Sequence, residues 1–235
     1  MNKLIVVTGG TKGIGRAILE KFAKEGFDVF TCARNFEDLQ ALKKEFEDNY
    51  PDSKTRIFQA DVSHKNETLA FANEINQLNQ PVEILVNNAG VFLPGEVHTE
   101  EDGKLEMMIE TNLYSAYYLT RALVPAMKTA QSGHIFNMCS TASIMAYVNG
   151  GSYCISKFAL LGMSKVLREE LKQHGIRVTS ILPGATFTAS WEGVDLPPER
   201  FMKAEDVAEA VGSAYRMSPQ SVAEEILIRP QLGDL

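Results

Sequence analysis

Apolar positions along the chain fall into short, nearly unbroken blocks separated by longer stretches with helical periodicity. The blocks predict strands at Leu4–Thr8, Asp28–Ala33, Arg56–Ala60, Ile84–Asn87, His134–Met138, Arg177–Leu182 and Glu225–Ile228. Between them the spacing predicts helices over Gly15–Glu25, Glu37–Asn49, His64–Leu78, Lys104–Thr129, Tyr153–His174 and Ala204–Tyr215. A run such as Leu4-Ile5-Val6-Val7 has no polar face, as expected of a strand covered on both sides. Strands alternating with helices in this way imply an α/β fold, a doubly wound parallel sheet of about seven strands with helices on both faces. No linker, repeat or low-complexity tract interrupts the alternation, so residues 1–235 read as one domain.

Composition narrows the function. Of 235 residues, 45% are hydrophobic and 23% charged, the balance of a globular protein rather than a disordered one. The formal net charge of −7 argues against nucleic-acid binding driven by overall charge, because such a body repels phosphate. No apolar run approaches the roughly 18 residues of a membrane span, and the apolar stretch after Met1-Asn2-Lys3 is too short for a signal peptide. Cys32, Cys139 and Cys154 have no metal-binding or redox spacing and sit in apolar surroundings. They read as buried packing residues of a cytoplasmic protein, and no metal site is expected.

The first strand runs into Thr8-Gly9-Gly10-Thr11-Lys12-Gly13-Ile14-Gly15 and then a helix. Glycines in a strand–turn–helix unit let a pyrophosphate approach the backbone, and the helix amino terminus presents free N–H groups to it. Gly9, Thr11, Lys12, Gly13, Ile14 and Gly15 are the candidate phosphate-binding residues. An NAD site places a carboxylate after the second strand to receive the ribose 2′-hydroxyl. Here that place reads Ala33-Arg34-Asn35, so a guanidinium stands where the acid is expected. Arg34 and Lys12 together suit a 2′-phosphate, which points to NADP(H).

Tyr153 and Lys157 lie four apart on one face of a predicted helix. An ammonium beside a phenol favours the phenolate and is expected to bring its pKa down from about 10 towards the working range. Ser140, thirteen residues upstream and just past a strand, offers a hydroxyl to a carbonyl oxygen on which negative charge develops.

The Gly-xxx-Gly-x-Gly turn, Asn87-Asn88-Ala89-Gly90, and Ser140 with Tyr153-xxx-Lys157 together resemble the short-chain dehydrogenase/reductase family, from Thr8 to about residue 229. The resemblance implies a Rossmann fold and further roles. Asp61 and Val62 would contact the adenine, and Asn88, Ala89 and Gly90 would border the cofactor. Asn112 would be a fourth catalytic position that perturbs its helix and holds a water linking Lys157 to solvent. Pro183, Gly184, Thr186 and Thr188, within Pro183-Gly184-Ala185-Thr186-Phe187-Thr188, would hold the nicotinamide carboxamide. Cys139 departs from the serine common in the family.

Residues 189–203 read as a substrate lid. This segment is shorter than in the family's 3-oxoacyl-carrier-protein reductases, and the Asp-Gly-Gly ending of those enzymes is absent. Both features favour the sepiapterin-reductase and small-carbonyl-reductase branch, with Trp191, Phe92, Leu93, Tyr147 and Met202 as candidate pocket residues for a small carbonyl substrate. Carrier-protein reductase remains the alternative reading. A cofactor-sensing protein without catalysis would have shed one of Ser140, Tyr153 and Lys157, and all three are present. By resemblance, the helices Lys104–Thr129 and Tyr153–His174, with Leu113, Tyr117, Leu160 and Met163, would form the interface of a homodimer or homotetramer.

Overall fold

The computed structural model describes residues 2–188 and 196–234. Seven strands form one sheet: β1 (Leu4–Thr8), β2 (Asp28–Ala33), β3 (Thr55–Gln59), β4 (Val82–Asn87), β5 (Gly133–Met138), β6 (Ile176–Pro183) and β7 (Glu225–Ile228). All neighbouring pairs are parallel, in the order β3-β2-β1-β4-β5-β6-β7. The helices are α1 (Gly13–Lys24), α2 (Phe36–Asn49), α3 (Lys65–Gln77), α4 (Lys104–Ile109), α5 (Ser115–Ala130), α6 (Gly151–Leu171) and α7 (Ala204–Tyr215).

The unbroken apolar blocks are explained by burial on two sides. Ile5 and Val7 of β1 pack with α1, α2 and α7 residues such as Phe22, Phe46 and Val207. Their neighbours Leu4 and Val6 pack on the other face with Phe71 of α3 and Leu119 and Leu123 of α5. The same alternation holds in β4, where Ile84 and Val86 face one layer and Leu85 the other. The chain winds outward from β1 in both directions, so the connections leaving the carboxyl ends of β1 and β4 pass to opposite faces of the sheet. That switch point is where an open α/β sheet has room for a ligand.

Every predicted strand is present within two residues of its expected bounds, but one predicted helix is not continuous. The Lys104–Thr129 pattern divides into α4, a π turn over Glu110–Tyr114, and α5. Periodicity continues across the turn, because inserting one wide turn keeps both flanking faces apolar. Helix α1 begins at Gly13, two residues earlier than the pattern indicates, which brings Gly13 and Gly15 into its first turn. All three cysteines are buried and unpaired, and burial pushes the Cys32 thiol up to about 12. No helix among the described residues is long and apolar enough to cross a membrane.

One buried side chain carries a pH liability. His134 of β5 is fully buried, stacks on Phe136 with centroids 3.9 Å apart, and meets Thr179 Oγ1 through Nε2 at 2.7 Å. Burial first, and the charge of Arg177 second, push its imidazole down to about 2 from an ordinary 6.5. Between those values the unfolded chain binds a proton that the folded chain does not. His134 therefore leaves stability intact above pH 6.5 and drains it as pH falls through that window. At pH 5 the loss is on the order of 2 kcal/mol. Denaturant midpoints at pH 7 and pH 5 should show this drop in the wild type and a markedly smaller one in His134→Gln.

Candidate active site

The turn after β1 is shaped by close backbone approaches. Gly9 adopts φ +70°, a left-handed conformation costly for other residues, and its N–H donates to Cys32 O at 2.9 Å. Gly15 faces back into the turn: a Cβ there would lie 2.4 Å from the Gly9 carbonyl oxygen and 2.5 Å from Asn88 Nδ2. Gly10 N–H donates to Thr31 Oγ1 at 3.0 Å, which ties the turn to β2. Lys12, at the N-cap of α1, is extended and gives no side-chain cap, so no side chain closes that helix end. The result is a backbone cradle beside an uncapped helix amino terminus, the arrangement that accepts a phosphate.

Asn88 locks this cradle to β4. Its N–H and that of Ala89 both donate to Thr8 Oγ1 at 3.0 Å, and its Nδ2 donates to Thr8 O at 2.9 Å and Gly9 O at 3.2 Å. Asn87 turns the other way, donating to Asn137 Oδ1 at 2.8 Å and Thr120 Oγ1 at 3.0 Å. Asn137 in turn reaches Ser164 Oγ of α6 at 2.8 Å. These buried amides join β4, β5, α5 and α6 behind the site.

Asn112 sits in the π turn, buried, and grips one residue from both sides. Val91 N–H donates to its Oδ1 at 2.7 Å, and its Nδ2 donates to Val91 O at 3.0 Å and Ser156 Oγ at 2.9 Å. Ser156 then donates to Tyr153 O at 2.8 Å. The wide turn lets Asn112 leave its own helix and connect the loop after β4 with the first turns of α6.

On α6, Tyr153 and Lys157 face the crevice together with Ser140 from the end of β5. Ser140 caps the short turn Thr141–Ser143, its Oγ accepting from Ala142 N at 3.1 Å, while its own N–H donates to Ser143 Oγ at 3.2 Å. Lys157 is buried, donates from Nζ to Met138 O at 2.7 Å, and stands 5.7 Å from the centre of the Tyr153 ring. Phe92 meets that ring edge-on at 5.0 Å.

Burial governs the titration of both groups. It pushes the Lys157 ammonium down to about 8 and the Tyr153 phenol above its usual value, with the neighbouring Ser140 hydroxyl pulling the phenol the other way. The expected net lowering of the Tyr153 pKa by Lys157 is therefore corrected. In the protein alone the phenol is shifted upward, because desolvation outweighs its polar neighbours.

These groups open onto a cavity of about 310 Å³, lined also by Ile14, Asn88, Gly90, Pro183, Gly184, Thr186 and Thr188. Thr186 is buried and donates to Gly184 O at 3.1 Å; Thr188 approaches Gly13. Thr11 remains in the turn before α1. After β2, Arg34 is exposed, and Lys12 before α1 pairs with Asp38 Oδ2 at 3.0 Å. Asp61 Oδ1 is taken up by Ser63 N–H at 3.0 Å and Ser63 Oγ at 2.7 Å, and Val62 is buried.

The candidate pocket residues separate. Phe92 and Tyr147 line the cavity, whereas Leu93 is not among its lining residues and Met202 is buried in the core. Trp191 lies outside the described residues, as does 189–195 of the expected lid. After Pro198–Arg200 the chain returns to β6's exit, with Met202 N–H donating to Ala185 O and Phe187 N–H to Met202 O, both at 2.9 Å. Cavity residues without a signal in the sequence include Val91, Thr141, Met145, and Asp234 from the carboxyl end, which pairs with Arg229. On the helices expected to form an interface, Leu160 is buried, Leu113 and Met163 pack against the core, and Tyr117 is exposed.

The family model for short chain dehydrogenases matches residues 3–196. Sepiapterin reductase of Chlorobaculum tepidum is 34% identical, the match covering all of this chain and 99% of that one. A metagenomic short-chain oxidoreductase solved in complex with NADP superposes with a TM-score of 0.85 at 33% identity, covering 97% of both chains. Serine dehydrogenase from Escherichia coli gives 0.83 at 32%, covering 96% of each. With glycine cradle, asparagine lock, and a half-buried Tyr153 beside the buried Lys157 on one seven-stranded sheet, the chain belongs to the short-chain dehydrogenase family of oxidoreductases.

Proposed function

We propose that this protein is an NADPH-dependent reductase of small carbonyl compounds, ketones or diketones and planar heterocycles of pterin size. The observation that carries the reading is the convergence of Ser140, Tyr153 and Lys157 on one cavity that reaches Ile14 and Asn88 at the edge of the glycine cradle. The residues fit the cofactor: the uncapped start of α1 suits the pyrophosphate, and Lys12 and Arg34 suit the 2′-phosphate. Gly90, Pro183, Gly184, Thr186 and Thr188 border the space for the nicotinamide end. When bound, NADPH supplies a hydride to the carbonyl carbon.

The chain's own residues handle the oxygen. Ser140 donates a hydrogen bond to it as charge develops, and Tyr153 transfers the phenolic proton. An upward-shifted phenol stays protonated at neutral pH, which suits an acid in the direction of reduction. Lys157, charged below about 8, holds ribose hydroxyls and favours the phenolate that forms when the proton leaves. Asn112, through Val91 and Ser156, keeps the start of α6, and with it Tyr153, in place. Phe92, Met145 and Tyr147 give the substrate an apolar wall, consistent with the similarity to a sepiapterin reductase.

Tyr153→Phe should lower turnover by at least about a hundredfold, the usual contribution of a positioned acid, while the NADPH dissociation constant stays within about threefold. Fluorescence titration and a carbonyl panel followed at the NADPH absorbance band measure both. Retention of more than a few per cent of the wild-type rate would refute the assignment. The rate profile carries a second signature. As pH rises through about 8, Lys157 loses its proton, so kcat/KM for reduction should fall above that point. The oxidation of the product alcohol should instead rise with pH, since it needs Tyr153 deprotonated. A reduction rate flat from pH 7 to pH 10 would contradict this role for Lys157.

A further inference from the structure

The two cations assigned to the 2′-phosphate are not equivalent. Arg34 is exposed and makes no salt bridge within 4 Å among the described residues, though its charge helps hold the Asp61 carboxyl below its ordinary value. Lys12 is paired: its Nζ lies 3.0 Å from Asp38 Oδ2, with the two side chains 70% and 34% exposed. Asp38 is firmly placed. It occupies the first turn of α2, and its backbone N–H donates to the Asn35 cap at 3.1 Å, while the Lys12 side chain is the more exposed partner of the pair. A carboxylate in the first turn of a helix is also favoured by the helix dipole, which gives Asp38 a reason to keep its place at the start of α2.

From this contact we infer that Asp38 is a specificity-determining residue, a built-in competitor for Lys12 that holds down the preference for phosphorylated over unphosphorylated dinucleotide. The inference rests on the proposed role of Lys12 at the 2′-phosphate. To engage a phosphate carrying close to two negative charges, Lys12 must give up Asp38, and the lost ion pair is subtracted from the affinity. A dinucleotide with a free 2′-hydroxyl makes no such demand, because Lys12 keeps its partner. Exposed ion pairs are weak, so Asp38 moderates selectivity without abolishing it.

Dissociation constants for NADPH and NADH, measured by cofactor fluorescence on the cofactor-free protein at low salt, test this. Asp38→Asn should tighten NADPH by about three- to fivefold, the upper part of the range of an exposed ion pair, and leave NADH within twofold. Asp38→Ser, which keeps a polar helix-start residue, should do the same and guards against a folding artefact in either variant. The gain should shrink with added salt and disappear in a Lys12→Ala background. Unchanged or weaker NADPH binding in both Asp38 variants overturns the inference, as does a gain that persists undiminished without Lys12. The underlying cofactor reading fails in a different way: the wild type would then bind NADH as well as NADPH, and neither Lys12→Ala nor Arg34→Ala would weaken NADPH.

Discussion

The site depends on how closely the end of β4 is held to the turn after β1. Four hydrogen bonds from Asn88 and Ala89 reach Thr8 and Gly9, and Gly15 lets α1 start against the same atoms. Where the winding of a parallel sheet reverses, the connections from neighbouring strands leave toward opposite faces, and a crevice opens beyond the strand ends. Here side-chain amides take the place that continued strand pairing would have occupied. They satisfy backbone groups that the crevice leaves open, and they set one fixed separation between the two halves of the molecule. Everything that faces the cavity is referenced to that separation.

A second set of buried polar contacts transmits the geometry to α6. Asn112 fixes Val91 and Ser156, and Ser156 reaches the carbonyl of Tyr153. The π turn makes this possible, since an unbroken α-helix would keep that carboxamide within its own helical surface. Burial then sets the chemistry. The same exclusion of water that weakens the Lys157 ammonium also raises Tyr153, so each is poised by its surroundings as much as by its partner. Sequence spacing announces that a phenol and an ammonium are neighbours, but the sign of the net shift follows from how dry the pocket is.

Legibility tracked the range of the interaction. The strands and most helices were readable because burial on both faces leaves long apolar runs, and the glycine turn was readable because close approach admits no other residue. The helix around Asn112 was readable in extent but not in form, since hydrophobic periodicity survives a single wide turn. Candidate pocket residues were the weakest part. Phe92 and Tyr147 reach the cavity, Met202 is consumed by the core, and Asp234 arrives from the far end of the chain. Nothing local separates a pocket residue from a core residue, because both are apolar side chains near a loop.

The sequence alone determined the parallel α/β layering, the cradle after β1, and the pairing of Tyr153 with Lys157 one turn apart, because each is written in residues close together along the chain. The tertiary structure decided which long-range partners those residues meet: Asp38 against Lys12, Met138 O against Lys157, Val91 against Asn112. It also decided how much water each group keeps. Desolvation and ion pairing are properties of a closed three-dimensional surface, and no single stretch of chain contains them.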